Sequence, residues 1–190
     1  SSVFDSNFIQ GFGDDGIDLS NTFQAFQDVR ISGRQLDTFG NQIRTIIDGQ
    51  GAGDNGLEIS SSGNHVVQGA PGTNLWTIQG VDILDVGTDG ININTTSGQN
   101  TFFIGSPEIT GNPFGGQYVR VWNSGDDGLD VLSDGSTSDN FFINSFMTTM
   151  NGDDGAVFFQ DSVAAVAVNI TNSVFNQNEG NGLQADIRST

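Results

Sequence analysis

Gly125-Asp126-Asp127-Gly128-Leu129-Asp130-Val131 joins an acidic glycine turn to a short alternating strand. Leu129 and Val131 share one face of an extended chain and Asp130 takes the other. The stretch recurs. Upstream stand Gly13-Asp14-Asp15-Gly16-Ile17-Asp18-Leu19, Gly53-Asp54-Asn55-Gly56-Leu57-Glu58-Ile59 and Gly87-Thr88-Asp89-Gly90-Ile91-Asn92-Ile93. Downstream, Gly152-Asp153-Asp154-Gly155-Ala156-Val157-Phe158 and Gly180-Asn181-Gly182-Leu183-Gln184-Ala185 are weaker copies. Each pairs a turn tolerant of positive φ with a period-2 strand, so the six read as one structural position visited six times.

The turn glycines Gly16, Gly56, Gly90, Gly128, Gly155 and Gly182 are spaced by 40, 34, 38, 27 and 27 residues. A drifting period suits a solenoid whose loops vary in length. Between anchors a second apolar run is expected at Asn64-His65-Val66-Val67-Gln68-Gly69, Asn100-Thr101-Phe102-Phe103-Ile104-Gly105 and Asn140-Phe141-Phe142-Ile143-Asn144. A third leads into the next anchor at Val81-Asp82-Ile83, Val119-Arg120-Val121 and Val168-Asn169-Ile170. Three short strands per turn, bounded by glycine, asparagine or serine, describe a coil of roughly triangular section. Thr22 to Asp48 is the least regular stretch. Phe23-Gln24-Ala25-Phe26 there reads as a short helix or a loop.

Composition narrows the function classes. The 190 residues carry a net charge of −18, with no lysine and five arginines: Arg30, Arg34, Arg44, Arg120 and Arg188. Nucleic acid is an unsuitable partner without clustered cations, and a Walker-type phosphate loop lacks its lysine. No apolar run is long enough to span a membrane as a helix. Cysteine is absent, which removes disulfides and thiol chemistry. Aspartate, asparagine and glycine dominate over helix formers, so helix is expected to be minor.

The Asp-Gly-Ile turns with Asn-rich corners resemble the right-handed parallel β-helix proteins of the pectin-lyase-like group, over most of the chain. A narrower resemblance is to bacterial surface proteins with Phe-x-x-Asn and Gly-x-Gly-Ile-type coils, such as the chlamydial polymorphic outer-membrane proteins. Phe4-Asp5-Ser6-Asn7, Phe141-Phe142-Ile143-Asn144 and Phe175-Asn176-Gln177-Asn178 fit the first motif; Asp14-Asp15-Gly16-Ile17 and Asn181-Gly182-Leu183 approximate the second. The resemblance implies an all-β, right-handed parallel β-helix of about six coils, one domain over residues 1–190. It also implies an extracellular or cell-surface setting.

Superposed anchors would line up Asp14, Asp15, Asp54, Asp89, Asp126, Asp127, Asp153 and Asp154 as an acidic rib. Carboxylates at coil spacing offer hard oxygens to Ca²⁺. They also cap turns, and exposed charges about 5 Å apart repel by less than ~1 kcal/mol in water, so a rib needs no ion. Polygalacturonase-type enzymes resemble the chain at Thr88-Asp89-Gly90 and Asp126-Asp127, where carboxylates would flank a glycosidic bond. Their Gly-His-Gly and Arg-x-Lys are missing; the one histidine, His65, lies upstream. His65 reads as a turn residue, Arg120 as an outward strand residue, and Arg30, Arg34 and Arg44 as partners of neighbouring aspartates. Trp76, Tyr118 and Trp122 read either as packing or as a sugar-stacking platform.

The leading expectation is a non-catalytic structural or adhesive segment without a catalytic residue or cofactor. The alternative is a polysaccharide-active or carbohydrate-binding β-helix working through the acidic edge. Ile17, Leu19, Leu57, Ile59, Ile91, Ile93, Leu129 and Val131 are expected inside, and Asp18, Glu58, Asn92 and Asp130 outside. Ser2-Val3-Phe4 and Ser173-Val174-Phe175 read as the same phase of the coil. Both ends would then meet neighbouring coils, or copies of the chain stacked end to end.

Overall fold

A computed structural model of the chain describes residues 2–21, 28–33, 35–36, 38, 42–62, 66–67, 70–71, 73–105, 118–162 and 166–188. These residues form strands and turns, with no helix among them. Parallel pairing sorts the strands into three faces. Ser2–Asp5, Asp28–Ser32, Thr73–Gln79 and Val166–Thr171 lie on the first, with the later halves of Ile91–Ile104 and Leu129–Asn144. Phe8–Gln10, Thr45–Ala52, Val81–Val86, Val119–Trp122, Phe146–Thr149 and Val174–Asn176 form the second. The third holds Ile17–Asn21, Leu57–Ser61, Ala156–Ser162 and Leu183–Arg188, plus the earlier halves of the two long strands. The chain visits the faces in that order and repeats, so the described residues make six coils of a parallel β-helix.

Register follows the anchors. Ile17 stands opposite Leu57, Leu57 opposite Ile91, and Ile91 opposite Leu129. Period 2 then sends these residues inward, where Ile17, Leu57, Ile59, Ile91, Ile93, Leu129 and Val131 are buried. Leu19, in the first coil, is half-buried. Asp18 is exposed, and Glu58, Asn92 and Asp130 are partly so. Parallel strands in register stack like on like. Trp76 lies over Phe102 at 6.0 Å and 8°, and Phe102 over Phe141 at 4.7 Å and 4°. Phe158, from the third face, closes the stack edge-on at 72°. Trp76 is therefore a rung of the phenylalanine ladder and no sugar platform; it is 2% exposed.

Five expectations need correction. Val66–Val67 pairs antiparallel with Ala70–Pro71, outside the coil, and the third coil takes its first-face strand from Thr73–Gln79. Val168-Asn169-Ile170 lies on the first face, and Val174–Asn176 supplies the second. Ser2-Val3-Phe4 and Ser173-Val174-Phe175 thus sit on different faces. Phe-x-x-Asn likewise marks no single position, since Phe141 is on the first face and Phe175 on the second. Alternation is the same on every face, so only the anchor corner distinguishes one strand from another. Phe23 to Phe26 lie outside the described residues.

The fifth correction concerns the turn glycines. None of the six has positive φ. Glycine is required there by close approach instead. A Cβ on Gly90 would stand 2.2 Å from Val121 Cγ1 and 2.7 Å from the Gly128 carbonyl oxygen. Most left-handed conformations fall at strand ends, at Ser6, Gly80, Gly105, Ser145 and Asn172 after the first face, and at Gly11, Asp85, Asn123, Met150 and Gln177 after the second; Gln50, Gly51 and Gly98 lie within Thr45–Ala52 and Ile91–Ile104, and Gly53 just after the first of these.

Candidate functional site

The anchors build the corner between the second and third faces, and the structure divides the acidic rib into two columns there. Asp14, Asp54, Thr88, Asp126 and Asp153 form the outer column, joined by backbone bonds such as Asp126 N–H to the Thr88 carbonyl at 3.1 Å and Asp153 N–H to the Asp126 carbonyl at 3.1 Å. Its four carboxylates are exposed. Thr88 separates Asp14 and Asp54 from Asp126 and Asp153.

Asp15, Asn55, Asp89, Asp127, Asp154 and Asn181 form the inner column, and their side chains hold the coils together. Each Oδ1 accepts the backbone N–H of its counterpart one coil on. Asn55 N–H reaches Asp15 at 3.0 Å, Asp89 N–H reaches Asn55 at 3.3 Å, and Asp127 N–H reaches Asp89 at 3.1 Å. Asp154 N–H reaches Asp127 at 2.8 Å, and Asn181 N–H reaches Asp154. Aspartate and asparagine present the same acceptor at the same reach, which is why both residue types occur in one column.

The second carboxylate oxygen is treated differently from coil to coil. Asp89 Oδ2 accepts the Asn92 amide at 2.8 Å. In the next coil Asp130 takes the place of Asn92, so Asp127 faces a carboxyl. Burial pushes Asp127 up to about 7, with the charges of Asp89, Asp126 and Asp130 adding to it and the Asp154 N–H opposing. Burial likewise raises Asp130 to about 6, helped by Asp89 and Asp126. Asp89 is raised too, chiefly by burial, as is Glu58, beside Asp15. Single carboxylate oxygens of Asp126, Asp127 and Asp153 all lie within 4.8 Å of one another. Asp127 can hold a proton near neutrality, and the group can present three hard oxygens to a cation.

The other arginine and aromatic candidates lie elsewhere. Arg44 makes a two-point ion pair with Asp82, Nε to Oδ2 at 2.7 Å and Nη2 to Oδ1 at 3.0 Å, and Arg120 Nε adds a third bond at 3.1 Å. Arg44 Cζ sits 3.8 Å from the Tyr118 ring centroid, and Arg120 Cζ lies 5.8 Å from that of Trp122. All five residues belong to the second face or its edge. Arg30 is exposed on the first face; Arg34 and His65 lie outside the described residues.

Sequence reasoning missed one polar cluster. Asp139 is wholly buried and accepts Thr95 Oγ1 at 2.5 Å, Ser133 Oγ at 2.7 Å and Asn100 Nδ2 at 2.8 Å. Asn100 Oδ1 in turn accepts Asn74 Nδ2 at 3.1 Å and Ser61 Oγ at 2.9 Å. A signal was present: Asn74-Leu75-Trp76, Asn100-Thr101-Phe102 and Asp139-Asn140-Phe141 repeat a polar residue two before an aromatic one.

Compared with known proteins, the chain matches no family model, no curated protein and no solved structure.

Proposed function

We propose that this chain is a non-catalytic structural or adhesive segment, working outside the cell or on its surface, whose stiff coil is the functional product. The inner-column ladder carries this reading. The inner-column carboxylates Asp15, Asp89, Asp127 and Asp154 are engaged, rung by rung, in binding the backbone of the next coil. The same holds for Asp139 in the interior and for Arg44 and Arg120 on Asp82. Under this reading the end coils, where Phe4 and Leu183 are incompletely covered, meet further coils of this chain or of another copy.

One observation favours a second reading, a polysaccharide-active or carbohydrate-binding coil. Asp127 holds a proton up to about pH 7 beside Asp126 and Asp153, and an acid paired with carboxylates is the equipment of glycoside cleavage. The same group offers Ca²⁺ three of the six to eight oxygens it takes, so a bound ion would draw the rest from water or a ligand. The deciding experiment incubates the purified chain with neutral and uronate polysaccharides. It then measures new reducing ends and unsaturated sugar ends. The structural reading expects neither; products that disappear in Asp127→Asn would replace it with the second.

A further inference from the structure

Two features of the first face meet at one point. Phe103 and Phe142 are neighbours in an outward column, their rings stacked at 5.2 Å and 14°, and they remain 37% and 44% exposed. The next member of that column is Asn169, directly opposite Phe142. Alternation sends Val168 and Ile170 towards the core and Asn169 and Thr171 outward, where both are exposed. The Asn169 side chain bonds no other described residue. Asn169-Ile170-Thr171 has the spacing of an acceptor for N-linked sugar, with no proline at its middle.

A cleft of about 270 Å³ joins the two features, with Phe103 and Phe142 as its apolar wall and Asn144, Asn169 and Thr171 on its polar side. We propose that Asn169 is an N-glycan acceptor and that this cleft seats the first sugar. Phe103 covers one face of the Phe142 ring, and the other faces the Asn169 row, one strand spacing of about 4.8 Å away. An N-acetylhexosamine on Asn169 lays its C–H face on that ring and becomes the next rung of the stack. Its polar rim meets Asn144 and Thr171, which are already joined by a 2.6 Å bond from Nδ2 to Oγ1.

In the transfer, the Asn169 amide nitrogen attacks the anomeric carbon of a sugar carried on a polyprenyl diphosphate. The C–N bond forms as the C–O bond to phosphate breaks. The lipid diphosphate leaves, and one amide proton passes to a base on the transferase. Attack takes place on the extended chain, before the coil closes. Glycan transfer presupposes export, so the site rests on the extracellular reading above.

Asn94-Thr95-Thr96 has the same spacing and a different setting. In register it has Ser60 on one side and Leu132 on the other, and its Oδ1 is buried. The cleft beside it, about 160 Å³, is lined by Ser60, Ser61, Ser62 and Thr96, with no ring for a sugar to lie on. A sugar at Asn94 would obstruct closure of the coil, whereas one at Asn169 adds a contact.

The test treats the unfolded whole chain in vitro with an oligosaccharyltransferase and a lipid-linked N-acetylglucosamine oligosaccharide. The chain is then refolded, and the protease-resistant fraction is mapped by mass spectrometry. Sugar is expected at Asn169 in the folded fraction and at Asn94 only in chains that fail to fold; Thr171→Ala should abolish transfer to Asn169. The glycan should raise the thermal midpoint by about 2–4 °C, a gain that Phe142→Thr and Phe103→Thr, both at exposed positions, should each reduce. No sugar at Asn169, sugar there only in unfolded chains, or a gain that both variants leave intact would overturn the proposal. Transfer in vitro bypasses export, so such a failure strikes the acceptor site and leaves the structural reading standing.

Discussion

Asp127 is the residue whose chemistry departs furthest from its type. Its pKa is pushed up to about 7 in the fold against an ordinary 3.8, and Asp130 moves the same way, to about 6. For an acid raised in this manner the folded state binds more protons than the unfolded one between the two values. Stability then falls as pH rises through that window and increases on acidification. The chain should accordingly melt at a higher temperature near pH 5 than near pH 8. Asp127→Asn should flatten that slope, since asparagine keeps the acceptor for the Asp154 N–H and removes the charge. Thermal melts of both proteins across this range measure it. Met150 is a second departure. It holds φ 59° at a corner where Gly11 occupies the equivalent position, and it is 46% exposed, so little packing compensates for the conformation. Met150→Gly should leave stability unchanged or raise it by up to ~1 kcal/mol in denaturant unfolding.

At the scale of the element, the anchor corner was legible because its glycines repeat, yet the physical reason for them was not. A turn glycine suggests positive φ, and no contact between coils can be read from one turn alone. Gly125 shows what decides: a Cβ there would stand 2.1 Å from the Gly87 carbonyl oxygen, so the neighbouring backbone itself excludes a side chain. Gly125→Ala should cost ~3 kcal/mol or more by urea unfolding, at or beyond the upper end of ordinary overpacking, because backbone yields less than side chains. Gly13, in the first coil, has nothing within 4 Å of that point, and Gly13→Ala should be close to neutral. The split of the rib into two columns was hidden for the same reason. Asp126 and Asp127 are adjacent in sequence, but only register tells that one faces solvent and the other the backbone of the next coil.

Over the whole molecule, six coils and three faces were legible from alternation and spacing, while the assignment of particular runs to faces was not. Val168-Asn169-Ile170 and Val81-Asp82-Ile83 have the same pattern and lie on different faces. Spacing drifts mainly because the longer excursions are inserted at two corners. One holds residues 33–44 and 105–118, between the first and second faces; the other holds 62–72, between the third and first. The anchor corner keeps one span from Gln10 to Ile17, Leu84 to Ile91, Trp122 to Leu129, Thr149 to Ala156 and Asn176 to Leu183, and only the second coil, from Asp48 to Leu57, is two residues longer. That corner also bears on the question of an ion. Backbone N–H groups already meet the inner carboxylates, so EDTA should leave the thermal midpoint unchanged. A fall restored by Ca²⁺ and not by Mg²⁺ would show that the Asp126, Asp127 and Asp153 group is occupied in solution.

The stacking of rungs has a kinetic consequence. Each coil is bonded to its neighbours alone, so a coil is released only when an adjoining one has already opened, and opening starts at the margins. Val166–Thr171 alternates half-buried with exposed residues, whereas Ile91, Ile93, Phe102 and Ile104 are sealed at 0%. Amide exchange should therefore run as a clock along the axis. Deuterium should enter Val166–Thr171 and Ser2–Asp5 first and Ile91–Ile104 last, with intermediate coils ordered by their distance from the nearer end. Uniform exchange of all coils at one rate would mean that the molecule opens as a single unit.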